Sequence, residues 1–169
     1  MKAKLKIIAT AAFIAGVITG CSDSSGTAAG VISVRLTDAP FPFSDITAVQ
    51  VYVVRVDARR GTATDAEVED ESNGEGWTTI ATPNSLINLL DLAGGRTTNL
   101  GAATLASGTY NGFRLIIDPT RSLLTLADGS HPDVKFPSAG HSGLKVQLDK
   151  PIEVTRDGSV ITLDFDVGR

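Results

Sequence analysis

The 169-residue chain contains one cysteine, one tryptophan and two histidines, and aromatic residues amount to only 5%. A single cysteine cannot form an internal disulfide, so the fold must depend on a packed apolar core. The scarcity of aromatic residues argues against a base-stacking surface. The formal net charge of −4 argues against the basic face that nucleic acids require. We therefore expect no nucleic-acid partner.

The chain also lacks a hydrophobic run long enough to span a membrane. Its longest apolar run lies near the N-terminus. Lys2, Lys4 and Lys6 precede Ile7–Ile18, a mostly apolar run. This run is shorter than the roughly 20 residues of a membrane span and is typical of a secretion signal. It closes with the sequence ITGC, which ends at Cys21 and resembles the lipobox of bacterial lipoproteins. The sequence predicts a lipoprotein signal peptide over residues 1–20 and lipidation of Cys21; the alternative is an unpaired thiol behind an ordinary cleavage site.

Processing before Cys21 would change both the charge and the location of the chain. The loss of three lysines leaves 12 basic against 19 acidic residues, a net charge of −7. Acyl chains on Cys21 hold a protein at a membrane, with about 0.8 kcal/mol for each buried methylene. A serine directly after the cysteine, here Ser22, resembles the pattern of lipoproteins that are sorted to the outer membrane. Residues 21–29 have the composition of a flexible tether. We expect an exported protein with a lipid anchor in the outer membrane.

After Gly30, short runs of Val, Ile, Leu and Thr alternate with turn signals, and no helical period lasts more than two turns. Val31–Thr37 alternates between apolar and polar residues, whereas Ile46–Val56 is apolar on both faces, which is typical of a central strand. These runs predict an all-β fold, a two-sheet antiparallel β-sandwich of about 8–9 strands, immunoglobulin-like or transthyretin-like, over residues 30–169. The other predicted strands are 77–81, 85–90, 97–100, 110–117, 123–126, 133–136, 144–148, 152–155 and 160–167.

Two dipeptides predict turns between these strands, and one leucine-rich run is open to a second interpretation. Asp128-Gly129 and Asp157-Gly158 separate paired runs and predict hairpin turns, because glycine tolerates a positive φ. Residues 86–92 are equally consistent with one or two helical turns.

Residues 62–76 contain six carboxylates and almost no apolar residue, and they predict an acidic loop between two strands. Part of the loop resembles the start of a helix–loop–helix calcium site, but its twelfth position is Ile80, where a bidentate glutamate is required. We therefore expect no metal and no cofactor besides the covalent lipid, with a calcium-binding surface domain as a minor alternative. The candidate ligands in that alternative are Asp65, Glu67, Glu69, Asp70, Glu71 and Asn73.

Residues for catalysis are sparse, and we expect no enzymatic activity. The chain has no Gly-x-Ser-x-Gly nucleophile elbow, and His131 and His141 lie in loop-like sequence. Asp164 and Asp166 alternate with apolar residues, so on a strand they share one face about 6.5–7 Å apart. Such spacing resembles the paired carboxylates of some glycosidases and is equally ordinary for the polar face of a half-buried strand. Asp164 and Asp166 are therefore candidates for ligand binding.

Short motifs stand in a fixed order along the chain: VRLTDAP at 34–40, GW at 76–77, NLLDL at 88–92, LASGTY at 105–110, FRL at 113–115, PSAGHSGLK at 137–145 and LDFD at 163–166. This ordered set resembles a bacterial lipoprotein family, the domain of unknown function 4382, over residues 30–166. Ser107 replaces the commoner proline of one motif. Family members usually continue beyond the position of Asp166, which leaves a C-terminal truncation of the domain open. The resemblance implies a β-sandwich on an exported lipoprotein and brings no established activity.

Two functions from different classes remain open. The first is a ligand- or partner-binding module at the cell envelope, whose loops hold a glycan, a peptide or a metal. The second is a structural or assembly protein that pairs with a partner through an exposed strand edge. The position of the last predicted strand, 160–167, distinguishes them, because an edge position favours assembly and a central one favours recognition by loops. In both, the membrane is a partner through the lipid anchor, and the second partner is an unidentified protein or glycan.

Overall fold

The computed structural model describes residues 4–10, 28–38, 44–61, 76–133 and 143–166. These residues form strands and a single 3-10 turn over Leu89–Leu92. The strands are β1 (Lys4–Thr10), β2 (Ala29–Asp38), β3 (Ile46–Arg60), β4 (Trp77–Ala81), β5 (Ser85–Asn88), β6 (Thr98–Ala106), β7 (Gly108–Leu126), β8 (Leu144–Val154) and β9 (Ser159–Asp166).

The strands form two sheets, which confirms the prediction of an all-β, two-sheet sandwich. Sheet A has the order β1-β9-β2-β6, and sheet B has the order β4-β3-β7-β8, with β5 also paired to β3. The pairing is antiparallel except between β2 and β9, which run parallel. Strands β8 and β9, which are consecutive in the chain, belong to different sheets. Asp157-Gly158 therefore carries the chain from one sheet to the other, and its prediction as a hairpin turn was wrong.

The core lies between the two sheets and is built from the inward-facing positions of both. Strand β2 contributes Ile32, Val34 and Leu36, as its predicted alternation requires. Beside it, β9 contributes three residues that are at most 2% exposed. Sheet B supplies the facing layer. These β9 and sheet B residues are Ile161, Leu163 and Phe165 on β9 and Val51, Val53, Phe113, Leu115 and Ile117 on β3 and β7.

Strand β3 is central, as predicted, because it has neighbours on both sides. Its buried face changes along its length: Val51 and Val53 are buried at odd positions, whereas Val56 and Ala58 are buried at even positions. The change follows from a register shift between Val53 and Arg55, since one extra residue moves every later side chain to the opposite face. The shift turns the polar residues of the second half of β3 to the outer face of sheet B.

Strand β7 runs unbroken from Gly108 to Leu126, where two separate strands were predicted. The polar residues between those predictions form an irregularity within the strand. There, the Asp118 carboxylate accepts a hydrogen bond from Thr120 N at 2.9 Å, and Ser122 Oγ accepts one from Tyr52 N at 3.0 Å. Similarly, β8 joins the two runs predicted at 144–148 and 152–155.

The other turn predictions have mixed outcomes. Gly129 N donates to Leu126 O at 3.0 Å, so Asp128-Gly129 does form a turn. The next described strand, β8, pairs with the opposite half of β7, so this turn does not close a hairpin. The run at 85–90 splits into β5 and the 3-10 turn. Of the predicted strand at 133–136, residues 134–136 lie outside the described residues, as does most of the acidic segment between β3 and β4.

The described residues include no helix long and apolar enough to cross a membrane.

Candidate functional site

Several predicted site residues lie outside the described residues and stay predictions. These include the lipidation site and the calcium ligands. In the part of the chain that the structure describes, no group of three or more His, Cys, Asp or Glu residues could hold a metal ion. His131 is exposed, with its Nδ1 3.3 Å from Leu124 O. The residues outside are Cys21, Asp65, Glu67, Glu69, Asp70, Glu71, Asn73 and His141.

The structure places Asp164 and Asp166 on β9 at alternate positions, as predicted. Asp164 is half-buried and lies opposite Thr37 of the parallel neighbour β2. Leu163 and Phe165, which flank it, are 0% and 2% exposed. These two aspartates therefore belong to a strand whose other face is part of the core.

The neighbour of β9 on its other side is β1, which lies within the predicted signal peptide. The two strands pair antiparallel over seven positions without a register shift, from Lys4 opposite Asp166 to Thr10 opposite Val160. Strand β9 is therefore central in the full chain. If β1 is removed, β9 becomes the outermost strand of sheet A among the described residues.

The remaining outer strands carry features that discourage pairing with another chain, whereas β9 carries few. Strands β4 and β5 have only five and four residues. Strand β6 contains Gly101 at φ 139° and faces a register shift in β2, and β8 contains Pro151, which lacks an N–H donor. The sequence of β9, SVITLDFD, has no proline, glycine or lysine, and its register with both neighbours is regular.

A second polar feature, which the sequence analysis missed, lies on the outer face of sheet B. Asp57 is 1% exposed, and both of its carboxylate oxygens accept hydrogen bonds. Thr79 Oγ1 donates to Oδ1 at 2.8 Å, while Arg114 Nε and Arg55 Nε donate to Oδ2 at 2.8 and 3.1 Å. Burial raises the pKa of Asp57, but the hydrogen bonds from Thr79, Arg114 and Arg55 outweigh burial and hold the pKa below its usual value.

The indole of Trp77 extends this network across sheet B. The guanidinium carbon of Arg114 lies 4.6 Å from the ring centroid, and that of Arg59 lies 5.5 Å away. A Cβ built on Gly112 would lie 3.5 Å from Trp77 Cη2, an ordinary van der Waals distance, so the ring lies against β7 at this position. We call Asp57, Thr79, Arg114, Arg55 and Trp77 the β4 clamp, because they join the edge strand β4 to β3 and β7. With its carboxylate fully engaged, the clamp is structural.

An open depression of about 380 Å³ lies between β4 and β6 on the described surface. Its lining contains no charged side chain. The lining residues are Thr79, Ile80, Ala81, Thr82, Leu100, Gly101 and Ala102.

These features define an all-β, two-sheet sandwich in which one outer strand comes from a separate N-terminal segment. The chain belongs to the family described as a domain of unknown function (DUF4382), whose family model matches residues 29–169. This match confirms the resemblance found in the sequence motifs. It begins at β2 and leaves β1 outside the matched residues. No curated protein and no solved structure matches the chain.

Proposed function

We propose that this protein is a non-enzymatic lipoprotein, anchored in the outer membrane through Cys21, that binds a protein partner through the outer edge of β9. One observation carries the proposal: the strand that pairs with this edge is β1, within residues 1–20. Cleavage before Cys21 would remove β1 and, among the residues that the structure describes, leave residues 160–166 of β9 without a neighbour on that side.

An unpaired strand edge presents a row of backbone N–H and C=O groups that readily pair with another extended chain. The edge of β9 lacks the proline, the glycine and the irregular register found on the other outer strands. These properties favour the assembly function over recognition by loops. Binding of a glycan, a peptide or calcium by loops remains the alternative.

The absence of catalysis is part of the same proposal. Asp57, a buried carboxylate, has its two oxygens occupied by hydrogen-bond donors, so it supports the fold and is not poised to exchange protons with a substrate. The sequence offers no nucleophile elbow that would suggest a hydrolase.

The anchor is tested by Cys21→Ser, combined with fractionation and mass spectrometry. The variant should accumulate as a precursor that keeps the first 20 residues and carries no acyl chains. Globomycin blocks the lipoprotein signal peptidase, so treated cells should accumulate a precursor of the wild-type chain. A Cys21→Ser protein that is processed normally and still fractionates with the outer membrane would contradict the anchor.

The edge is tested by a photo-cross-linking amino acid in place of Thr162 on β9, with Thr104 on β6 as the matched control. Both are threonines on sheet A, and Thr104 is exposed on an outer strand. We expect a discrete protein adduct in cells from position 162 and none from position 104. Equal labelling from both positions, or none from position 162, would contradict binding through the β9 edge.

A further inference from the structure

We infer that the segment bound by β9 runs antiparallel to it, with aliphatic residues opposite Ile161, Leu163 and Phe165 and basic residues opposite Asp164 and Asp166. This inference rests on the proposed function, because the edge is open only after β1 has been removed. It adds the direction, the register and the chemical class of the partner segment.

The direction and register follow from the pairing of β1. Seven consecutive positions of β1 pair antiparallel with β9 without a bulge. The parallel neighbour β2 occupies the other edge of β9 over Ser159–Phe165. The free edge of the mature protein can therefore accept a regular strand of the same length.

The aliphatic positions follow from the inner face of β9. Leu5, Ile7 and Ala9 of β1 lie opposite Phe165, Leu163 and Ile161 in the register. Strand β1 also contacts β8, the outer strand of sheet B, so it lies at the seam where the two sheets meet. A segment in this place borders the inner face of β9, where Ile161, Leu163 and Phe165 are buried, so aliphatic residues at these positions match that apolar face.

The basic positions follow from charge. Lys4 and Lys6 of β1 lie opposite Asp166 and Asp164 in the register, and opposite charges at directly opposed positions stabilise a pair of strands. The predicted mature chain has a net charge of −7, which also favours a cationic segment. A second copy of β9 would bring its own aspartates to the interface, so we assign the edge to a basic segment of a different chain.

The register is tested on mature lipoprotein purified from membranes and carrying Thr162→Cys, in which the acylated Cys21 is not a free thiol. The probe is a synthetic peptide of residues 3–11 with Ile8→Cys, because position 8 lies opposite position 162. We expect a peptide–protein disulfide after a mild oxidant is added, which accepts the two electrons that the two thiols release. The control protein carries Ser159→Cys, three positions out of register, and should give at least tenfold less of the disulfide. Equal yields would overturn the assigned register.

The chemistry is tested by binding of the same peptide without cysteine. Lys4→Glu and Lys6→Glu together should weaken binding at least tenfold, and Ile7→Asp should do so as well. Asp164→Lys in the protein should restore part of the affinity for the Lys6→Glu peptide, while Asp91→Asn, at an exposed residue of the 3-10 turn, should change nothing. Affinity that is insensitive to these charge reversals would overturn the basic class of partner.

Two further outcomes separate this inference from the function on which it rests. A Thr162→Cys protein that, on oxidation, still forms disulfide dimers in the presence of excess peptide would identify a second copy as the occupant and overturn the inference alone. A mature lipoprotein whose mass still includes residues 4–10 would overturn the proposed function, because its β9 edge would never open.

Discussion

The two sides of the sandwich are closed in different ways. On one side, β4 is a five-residue edge strand fastened by the β4 clamp, whose members all lie within the residues matched by the family. On the other side, β9 is covered by β1, which lies before those residues and pairs through its backbone. Strand β1 contributes none of the clamp contacts and lies outside the residues matched by the family, so we expect the fold to persist when β1 is removed.

The largest expected effect is on hydrogen exchange along β9. Successive backbone amides of a strand point to opposite neighbours, so about half of those in β9 point toward β1. In unprocessed Cys21→Ser protein, the free energy of opening these amides can approach the global value of about 5–15 kcal/mol. In the processed protein, the same amides should exchange with an opening free energy near zero.

The control lies within the same strands. The β9 amides that face β2 should stay protected in both forms, because the β2–β9 pairing is independent of β1. The outward amides of β6 should exchange rapidly in both forms. Uniform protection of β9 in the processed protein, measured without a partner, would show that the two sides do not differ.

The second prediction concerns the clamp. Asp57→Ala should lower the free energy of unfolding by about 3–5 kcal/mol, because it leaves the buried guanidinium of Arg114 without its counter-charge. Urea unfolding of the protein monitored by Trp77 fluorescence measures this change. Asp91→Ala, at an exposed carboxylate, is the control and should stay within about 0.5 kcal/mol of the wild type. A loss below about 1 kcal/mol for Asp57→Ala would show that the clamp does not fasten β4.

The difference between the two sides also explains which features the sequence could reveal. Alternating apolar residues located β2 and β9, and a two-sided apolar run located the central strand β3, because strand side chains repeat every two residues. The β4 clamp was missed because the register shift between Val53 and Arg55 reverses that repeat. The available signal for a polar outer face on sheet B was the run of charged residues inside a strand, in the sequence VRVDARR at 54–60.

The pairing of β1 with β9 could not be predicted from the pattern of residues along the chain. Residues 4–10 resemble the start of a secretion signal, and their complementarity to β9 appears only when the strands are placed in register. Likewise, residues 110–117 and 123–126 were predicted as two separate strands, whereas in the structure the side chains of Asp118 and Ser122 bond to the backbone of β7 and β3 within one continuous strand. Local turn residues are therefore ambiguous until a neighbouring strand is known.

A smaller effect is expected from the titration of Asp57. Its pKa in the folded protein lies below the ordinary value of 3.8, because hydrogen bonds from Thr79, Arg114 and Arg55 outweigh the effect of burial. A carboxyl of this kind contributes stability that is complete above about pH 4 and is lost as the pH falls through the folded-state pKa. The free energy of unfolding should therefore fall more steeply below pH 4 in the wild type than in Asp57→Asn. Parallel pH profiles of the two proteins would contradict this assignment.

The smallest expected effect is that of calcium on the segment that joins β3 to β4. A preformed site among its carboxylates would stabilise the fold by about 2.7 kcal/mol at one hundred times its Kd and would raise the melting temperature by several degrees. We expect a rise of less than about 2 °C in millimolar calcium, because the segment lacks a bidentate glutamate at the required position. Deletion of residues 64–73 should leave the sandwich folded, because the described clamp contacts that hold β4 lie outside the deleted residues. A large rise that this deletion abolishes would mean that calcium also fastens the β4 side, and it would promote calcium binding to the leading function.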